Sequence, residues 1–301
     1  MNKEGFGTIL ALTTAIISGF AIPLNKIFVT GLDPAVFTAV RALIIGLIFL
    51  ALSFMKGDFK SRNLKKIPWG YLLAIGIIGG GLAFLLYFTG LKFTTAGRAA
   101  FLHKTLPIYV TIFAYLFLKE KVSKKQLYSL LIMFAGTLAI VSATISPSFL
   151  WENPGFGDML IIGATILWAV ENTIAKKALL KGSNFIVSFA RMFFGSMVLF
   201  GVVVLTGNIG AVFALTQMQI LSLMVSTAIL FGYVFFWYWS LKYINVSKAA
   251  SLLLLSPVIS LVLGIILFGE TVPMLQLAGS ILILIGARYM ISVKSEMATG
   301  V

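Results

Sequence analysis

Ten long apolar runs alternate along the chain with short polar segments. A helix that crosses a bilayer needs about 20 apolar residues. Polar helix-start residues fall between the runs, such as the capping box of Ser123 with Gln126 and the helix-opening Pro273. The pattern predicts an all-α integral membrane protein with ten transmembrane helices. These are expected at residues 8–30, 34–54, 69–91, 97–118, 124–143, 157–178, 183–206, 217–241, 248–268 and 274–292.

The amino-acid composition also indicates that the protein is surrounded by lipid. Apolar side chains make up 60% of the 301 residues and charged ones 11%, with a mean hydropathy of +1.06. A soluble domain has about 45–50% apolar and about 25% charged residues. Because the chain has no Cys, a single His and few acidic residues, it lacks the usual ligands for a metal site. We therefore expect no metal and no cofactor.

The net charge of +14 is distributed unevenly over the loops. In a soluble protein such an excess would indicate nucleic-acid binding, but in a membrane protein Lys and Arg mark the cytoplasmic loops. The side opposite the termini has only Lys26, Lys92 and Arg98. The bias predicts both termini in the cytoplasm and a location in the cell membrane, with no nucleic-acid partner. The second loop alone has Lys56, Lys60, Arg62, Lys65 and Lys66.

The sequence repeats itself at an offset of 150 residues without a gap. Each half, 1–150 and 151–301, contains five predicted helices. An odd number of crossings places the second half upside down relative to the first, and such inverted repeats are typical of secondary transporters that work by alternating access. The coincident pairs include Lys26 with Lys176, Arg41 with Arg191, Pro107 with Pro257, Glu120 with Glu270 and Gly136 with Gly286.

Two matching segments, 91–120 and 241–270, carry the doubled pattern of Leu-Lys, Ala-Ala, Pro and Glu, and the repeated Gln-Leu and Gly follow them. In these residues the whole chain resembles the drug/metabolite transporter superfamily, in its EamA-like branch of ten-helix proteins. The resemblance implies a metabolite exporter or importer driven by an ion gradient or by exchange. It also implies a central cavity lined by the first four helices of each half, with the fifth and tenth helices at the periphery.

Charged residues inside spans are costly and usually face a cavity or a partner. Glu171 and Arg191 lie equally far from the turn at Lys181, so we expect an ion pair between adjacent helices. This pair is either a structural lock or a site that takes a proton or a cationic group. Arg41 has no acid at the corresponding place. With His103 and Lys104, which depart from Leu253-Leu254 in the second half, it would form a positive region for a carboxylate or phosphate, unless Lys104 snorkels to the surface.

Aromatic residues supply the remaining candidates. Tyr233, Trp237 and Ser240 recur on one face of the eighth helix, opposite Tyr87 and small residues of the third, and Trp168 shares a stripe with Glu171. They predict a cavity for an apolar or aromatic group, although aromatic side chains also form belts at the lipid headgroups.

Proline and small residues complete the pattern. Pro107 and Pro257 lie mid-span at equivalent places and are candidate hinges, since each lacks an N–H donor. Gly76 and Gly80 form a GxxxG pattern that indicates close helix packing. Glu120 and Glu270 are expected to be structural, accepting hydrogen bonds from the helix that follows.

Together these features predict a secondary transporter that exports a small organic metabolite with an anionic group, an amino acid being the simplest case. Two alternatives stay open: a cationic amphipathic substrate with Glu171 as counter-ion, and a lipid-acting membrane enzyme. The sequence does not identify a coupling proton or other ion, or the oligomeric state. Membrane lipid and a small-molecule substrate are the expected partners.

Overall fold

The computed structural model describes residues 2–28, 33–60, 67–143, 145 and 154–295, and this part of the chain is all helical. We number the membrane helices α1 to α10. They are α1 Lys3–Phe28, α2 Pro34–Lys56, α3 Trp69–Leu91, α4 Ala96–His103 continued by Leu106–Leu118, α5 Lys124–Ser142, α6 Phe156–Lys181, α7 Asn184–Leu205, α8 Gln217–Leu241, α9 Val246–Leu252 continued by Leu253–Leu255 and Ser256–Phe268, and α10 Met274–Ile291.

All ten helices are long and apolar enough to cross a membrane, as the hydrophobic runs predict. The largest difference is at α1, which begins at Lys3 rather than at residue 8. Some of the Lys and Arg residues from which the membrane orientation is predicted lie outside the described part of the chain. They are Arg62, Lys65, Lys66 and the side chain of Lys26.

Several helices begin at polar caps that the sequence makes available. The Asp33 carboxylate accepts hydrogen bonds from two N–H groups of α2, and Thr216 with Gln219 forms a complete capping box on α8. The capping box predicted for α5 is only half present. Ser123 accepts from the Gln126 N–H, but the Gln126 side chain donates to Ser247 of α9 instead. Pro273 lies one residue before α10 rather than inside its first turn.

The helices pack in pairs related by the offset of 150. α1 packs on α8 and α9 as α6 packs on α3 and α4, whereas α2 packs on α7 and α5 on α10. A Cβ on Gly7 would lie 2.6 Å from the Tyr243 Cβ, and a Cβ on Gly157 would lie 2.6 Å from the carbonyl carbon of Phe93. Since Tyr243 and Phe93 are also 150 residues apart, the same close approach occurs twice, once in each orientation.

The two ends of the bundle are defined here by the termini. The terminal face is the end where α1 begins and α10 ends, and it includes the turns after α2, α4, α6 and α8. Glu4 near the N-terminus and Ser295 near the C-terminus meet there, because the Glu4 carboxylate accepts from the Ser295 N–H over 2.7 Å. The other end is called the opposite face.

Candidate functional site

A cavity of about 260 Å³ lies between seven helices. α1, α3, α4, α6, α7, α8 and α9 contribute side chains, whereas α2, α5 and α10 contribute none of the lining residues described. Seven predicted binding residues lie in its wall together with the predicted hinge residue Pro107. The seven are Tyr87, His103, Lys104, Trp168, Arg191, Tyr233 and Trp237.

Aromatic rings form two walls of the cavity. On one side the His103 ring stands edge-on to Trp168, with centroids 4.9 Å apart, and Tyr87 lies 5.4 Å from Trp168. On the other side Tyr233 stacks with Trp237 at 6.3 Å and an interplanar angle of 14°. The sequence predicted Tyr87 together with small residues opposite the α8 aromatics, and Tyr87 with the predicted binding residue Trp168 makes that side aromatic as well.

Side chains of α4 and α7 contribute positive charge to the cavity wall. The Lys104 ammonium donates to the Ser256 hydroxyl over 2.7 Å, which keeps it beside α9 instead of at a headgroup. His103 is its neighbour, and among the described residues the buried His103 Nδ1 has no hydrogen-bond partner. Arg191 is the second cation in the wall, while the lining residues described include no Asp or Glu.

Glu171 and Arg191 form the ion pair expected from their depth. Arg191 Nη1 lies 3.7 Å from Glu171 Oε2, and the Glu171 side chain is fully buried. The Tyr238 hydroxyl donates to Glu171 Oε1 and accepts from Arg191 Nη1 over 3.2 Å. Tyr238 therefore joins the pair across α6, α7 and α8, a role that its position away from the predicted aromatic stripe did not indicate.

Glycines of α3 allow this helix to pack closely against Glu171 and Arg191. A Cβ on Gly79 would lie 2.2 Å from the Glu171 Cγ, and a Cβ on Gly80 would lie 2.1 Å from the Arg191 carbonyl oxygen. Residues Ile75–Leu82 are π-helical, a form common at functional sites. The Gly79 carbonyl accepts from the Trp168 indole N–H over 3.0 Å. The GxxxG pattern predicted packing, but it gave no sign of the change in helix type.

The two mid-span prolines coincide with irregular backbone. α4 is interrupted by a turn at Lys104 and Thr105 just before Pro107, and α9 passes through the 3-10 segment Leu253–Leu255 before Pro257. In α9 the Leu253 carbonyl accepts from the Ser256 N–H in place of the donor that Pro257 lacks. Because these breaks border the cavity, Lys104 and Leu254 both face it.

Three predicted binding residues, Arg41, Ser240 and Glu171, are not among the cavity-lining side chains. Arg41 donates to the Ser226 hydroxyl over 2.5 Å, and its guanidinium lies 4.1 Å from the ring centroid of Phe37. The Ser240 hydroxyl donates to the Trp237 carbonyl in its own helix. Local partners thus keep both groups out of the cavity. Glu171 also lies behind the wall and reaches it only through Arg191.

Ten membrane-crossing helices in two related halves around a central cavity define a multi-pass integral membrane transporter. The chain belongs to the EamA-like transporter family, whose model matches residues 5–142 and again residues 155–292. The two matches are themselves offset by 150 residues. The predicted family and fold class are thereby confirmed.

Several relatives cover nearly the whole chain. An uncharacterised transporter of Archaeoglobus fulgidus is 26% identical over 283 residues, which cover 92% of this chain and 95% of the relative. A protein of Salmonella typhimurium described as a probable amino-acid metabolite efflux pump is 26% identical over 297 residues, covering 95% and 93%. A solved crystal structure with 16% identity matches the fold with a TM-score of 0.76 over 94% of this chain and 95% of the other.

Proposed function

We propose that this protein is a secondary active transporter that exports a small organic metabolite with an anionic group across the cytoplasmic membrane. The observation that carries the proposal is the charge of the cavity. Its wall includes Lys104 and Arg191 and, among the described residues, no carboxylate. Arg191 is balanced by Glu171 behind the wall, whereas Lys104 donates to a neutral hydroxyl, so a carboxylate or phosphate on the substrate would be attracted chiefly by Lys104.

The aromatic walls favour a substrate that is also partly apolar. Tyr87 with Trp168 on one side, and Tyr233 with Trp237 on the other, border a volume of about 260 Å³. Ligand pockets usually enclose about 300–1,000 Å³, so this cavity, slightly below that range, fits a small solute. An amino acid is such a molecule, and the Salmonella relative described as an amino-acid metabolite efflux pump supports this choice and the direction of export.

Alternating access follows in this proposal from two inverted repeats, 1–150 and 151–301, that act as one transmembrane unit. The Lys and Arg bias assigns the terminal face to the cytoplasm. Pro107 and Pro257, beside the breaks in α4 and α9, serve as hinges. A proton or other ion drives the cycle, and Glu171 is the acid closest to the cavity residue Arg191.

The arrangement of Glu171 does not favour a cationic substrate. Its carboxylate already faces Arg191 and accepts from Tyr238, and it is fully buried behind the cavity wall. A cationic group would have to displace Arg191 to reach it. We propose no catalytic chemistry, since the family and the named relatives are transporters.

The proposal predicts that replacement of Lys104 weakens substrate binding. In Lys104→Gln the cavity keeps its volume but loses a charge-assisted hydrogen bond, which contributes about 1.5–3 kcal/mol. We expect at least a tenfold rise in KM for the uptake of candidate amino acids into inside-out vesicles. Wild-type vesicles that move none of the candidate anionic amphipathic solutes would contradict the proposal.

Ser256→Ala is the matched control for this experiment. It removes the hydroxyl that Lys104 contacts but keeps the ammonium group, so we expect the KM to stay within about threefold of wild type. If Ser256→Ala and Lys104→Gln raised the KM equally, Lys104 would act on α9 packing rather than on the substrate.

A further inference from the structure

The turn after α4 is bound at the terminal face by an unusual cap. The Glu120 carboxylate accepts from the Val246 N–H over 2.8 Å, from the Ser247 N–H over 3.2 Å and from the Ser247 hydroxyl over 2.6 Å. These are the first residues of α9, not of the following helix α5 as predicted from sequence. Only 3% of Glu120 is exposed. A buried carboxylate on a helix N-terminus satisfies donors that have no partner inside the helix.

The equivalent contact is missing at the opposite face in the part of the chain that the structure describes. The offset of 150 relates Glu120 to Glu270 and the first residues of α9 to Ala96 and Gly97 of α4. Glu270 is exposed, and its Oε2 lies 2.4 Å from where a Cβ of Gly264 would stand, so the carboxylate is folded back over α9.

Local backbone does not account for this difference. Both glutamates follow a residue with positive φ, 55° at Lys119 and 63° at Gly269. The Glu120 N–H donates to the Ala114 carbonyl, and the Glu270 N–H donates to the Gly264 carbonyl, which is the equivalent position. The two turns have the same conformation, so the difference lies in how the helices around them are arranged.

Burial shows the same asymmetry over a longer segment. At the terminal face, where α8 turns into α9, Ile244 and Ala250 are fully buried and Tyr243 is half-buried. At the equivalent positions of the opposite face, where α3 turns into α4, Thr94 is half-buried, Ala100 is exposed and Phe93 is 62% exposed. The structure is therefore closed at the terminal face and more open at the opposite face.

Ion pairs near the two turns do not distinguish the faces. Lys248 pairs with Glu4 at 3.0 Å on the terminal face, and the equivalent Arg98 pairs with Asp158 at 3.0 Å on the opposite face. Among the offset-related contacts between described residues, the glutamate cap is present at the closed face and missing at the open one.

We propose that Glu120 and Glu270 are alternating gate residues, each closing one face by capping the N-terminus of a helix from the other repeat. Glu120 on α9 closes the terminal face in the arrangement described. When that face opens, Glu120 leaves α9 and Glu270 binds the N–H groups of Ala96 and Gly97 on α4. This inference rests on the alternating access of the proposed function.

The two gates differ in strength. Ser247 contributes a hydroxyl to the Glu120 cap, and the Gln126 amide donates to the same hydroxyl over 2.9 Å. Gly97 occupies the equivalent place at the opposite face and has no hydroxyl. The extra hydrogen bonds favour closure of the terminal face when no substrate is bound.

Cysteine labelling tests the gates directly, because the chain has no native Cys. Ala250→Cys reports opening of the terminal face, and its equivalent Ala100→Cys, on the same helical stripe as Lys104, reports opening of the opposite face. In purified protein we expect Glu120→Gln to raise the rate of maleimide labelling at Ala250→Cys about tenfold and to lower it at Ala100→Cys. Adding Glu270→Gln should return both rates toward those of the parent.

Two results would overturn the inference. One is equal labelling of Glu120→Gln with and without Glu270→Gln, and the other is an unchanged rate in Glu120→Gln. If Glu120→Gln fails to fold, Ser247→Ala decides the question, because it keeps the carboxylate and should raise labelling at Ala250→Cys about threefold. An unchanged rate in Ser247→Ala would then overturn the inference.

The readout separates the gates from the proposed function, since labelling needs no substrate. Vesicles that move no solute while the labelling shifts as expected would contradict the transport proposal alone. If vesicles transport solute but Glu120→Gln labels at the same rate with and without Glu270→Gln, the gate inference alone is contradicted.

Discussion

At the scale of single residues, the membrane interior makes the partner of each charge decisive. Arg41 and Arg191 are equivalent in the repeat, yet only Arg191 lines the cavity. Arg191 is held there by Glu171 and Tyr238, whereas Arg41 is held by Ser226 and the ring of Phe37. Sequence identified both as buried cations and predicted Glu171 as the partner of Arg191, because charge and depth inside a span are visible in a hydropathy pattern. It did not identify the contacts with Tyr238 and Ser226.

Removal of Glu171 is predicted to destabilise the protein. Glu171→Gln leaves Arg191 buried without its counter-charge, and breaking one side of such a pair costs about 3–5 kcal/mol. We expect a clearly lower midpoint of thermal unfolding in detergent. Glu171→Gln combined with Arg191→Met should recover much of the loss, since neither charge is then unpaired.

An unchanged midpoint in Glu171→Gln would contradict a stabilising pair. Loss of proton-driven accumulation in a stable Glu171→Gln variant would support instead the role of Glu171 in coupling.

At the scale of helices, α3 shows how glycine positions determine the site. Its π-helical segment places Gly79 against Glu171 and presents a carbonyl to the Trp168 indole. The GxxxG pattern correctly indicated close packing, because small side chains on one face are read directly from spacing. The helix type depends on contacts with α6 and α7, so spacing along α3 did not reveal it.

Gly79→Ala is predicted to disturb the site through a steric clash. The new Cβ would lie 2.2 Å from the Glu171 Cγ, and overpacking of this kind costs about 1–3 kcal/mol. We expect a lower thermal midpoint and weaker substrate binding.

Gly70→Ala in the same helix is the matched control, since no atom lies within 4 Å of its added Cβ. We expect it to be neutral or slightly stabilising, because Ala favours helix over Gly by about 1 kcal/mol. Equal effects of the two substitutions would show that helix propensity, not contact with Glu171, explains the loss.

At the scale of the whole molecule, the inverted repeat organises both the contacts and their differences. Helix pairs recur at the offset of 150, as do the close approaches at Gly7 and Gly157. The faces nevertheless differ in burial, since Glu120 is buried and Glu270 is exposed. A repeated chain in an asymmetric arrangement is what the proposed alternating access would require.

The orientation in the membrane is predicted from charge and can be measured. Lys92→Cys at the opposite face and Lys125→Cys at the terminal face are both exposed positions in a chain without native Cys. We expect an impermeant maleimide to label Lys92→Cys in intact cells and Lys125→Cys only after permeabilisation. The reverse pattern would place the termini outside.

The number of crossings, the repeat and its inversion follow from the sequence, because the length of an apolar run, an offset and an odd count are local or arithmetic properties. Cavity lining and face closure were decided by tertiary structure. The face that a helix presents to the cavity depends on contacts with residues distant in sequence. Examples are Lys104 with Ser256 and Tyr238 with Glu171. Whether Glu120 contacts α9 depends on how the two halves pack against each other. Equivalent sequences at the two faces therefore make different contacts.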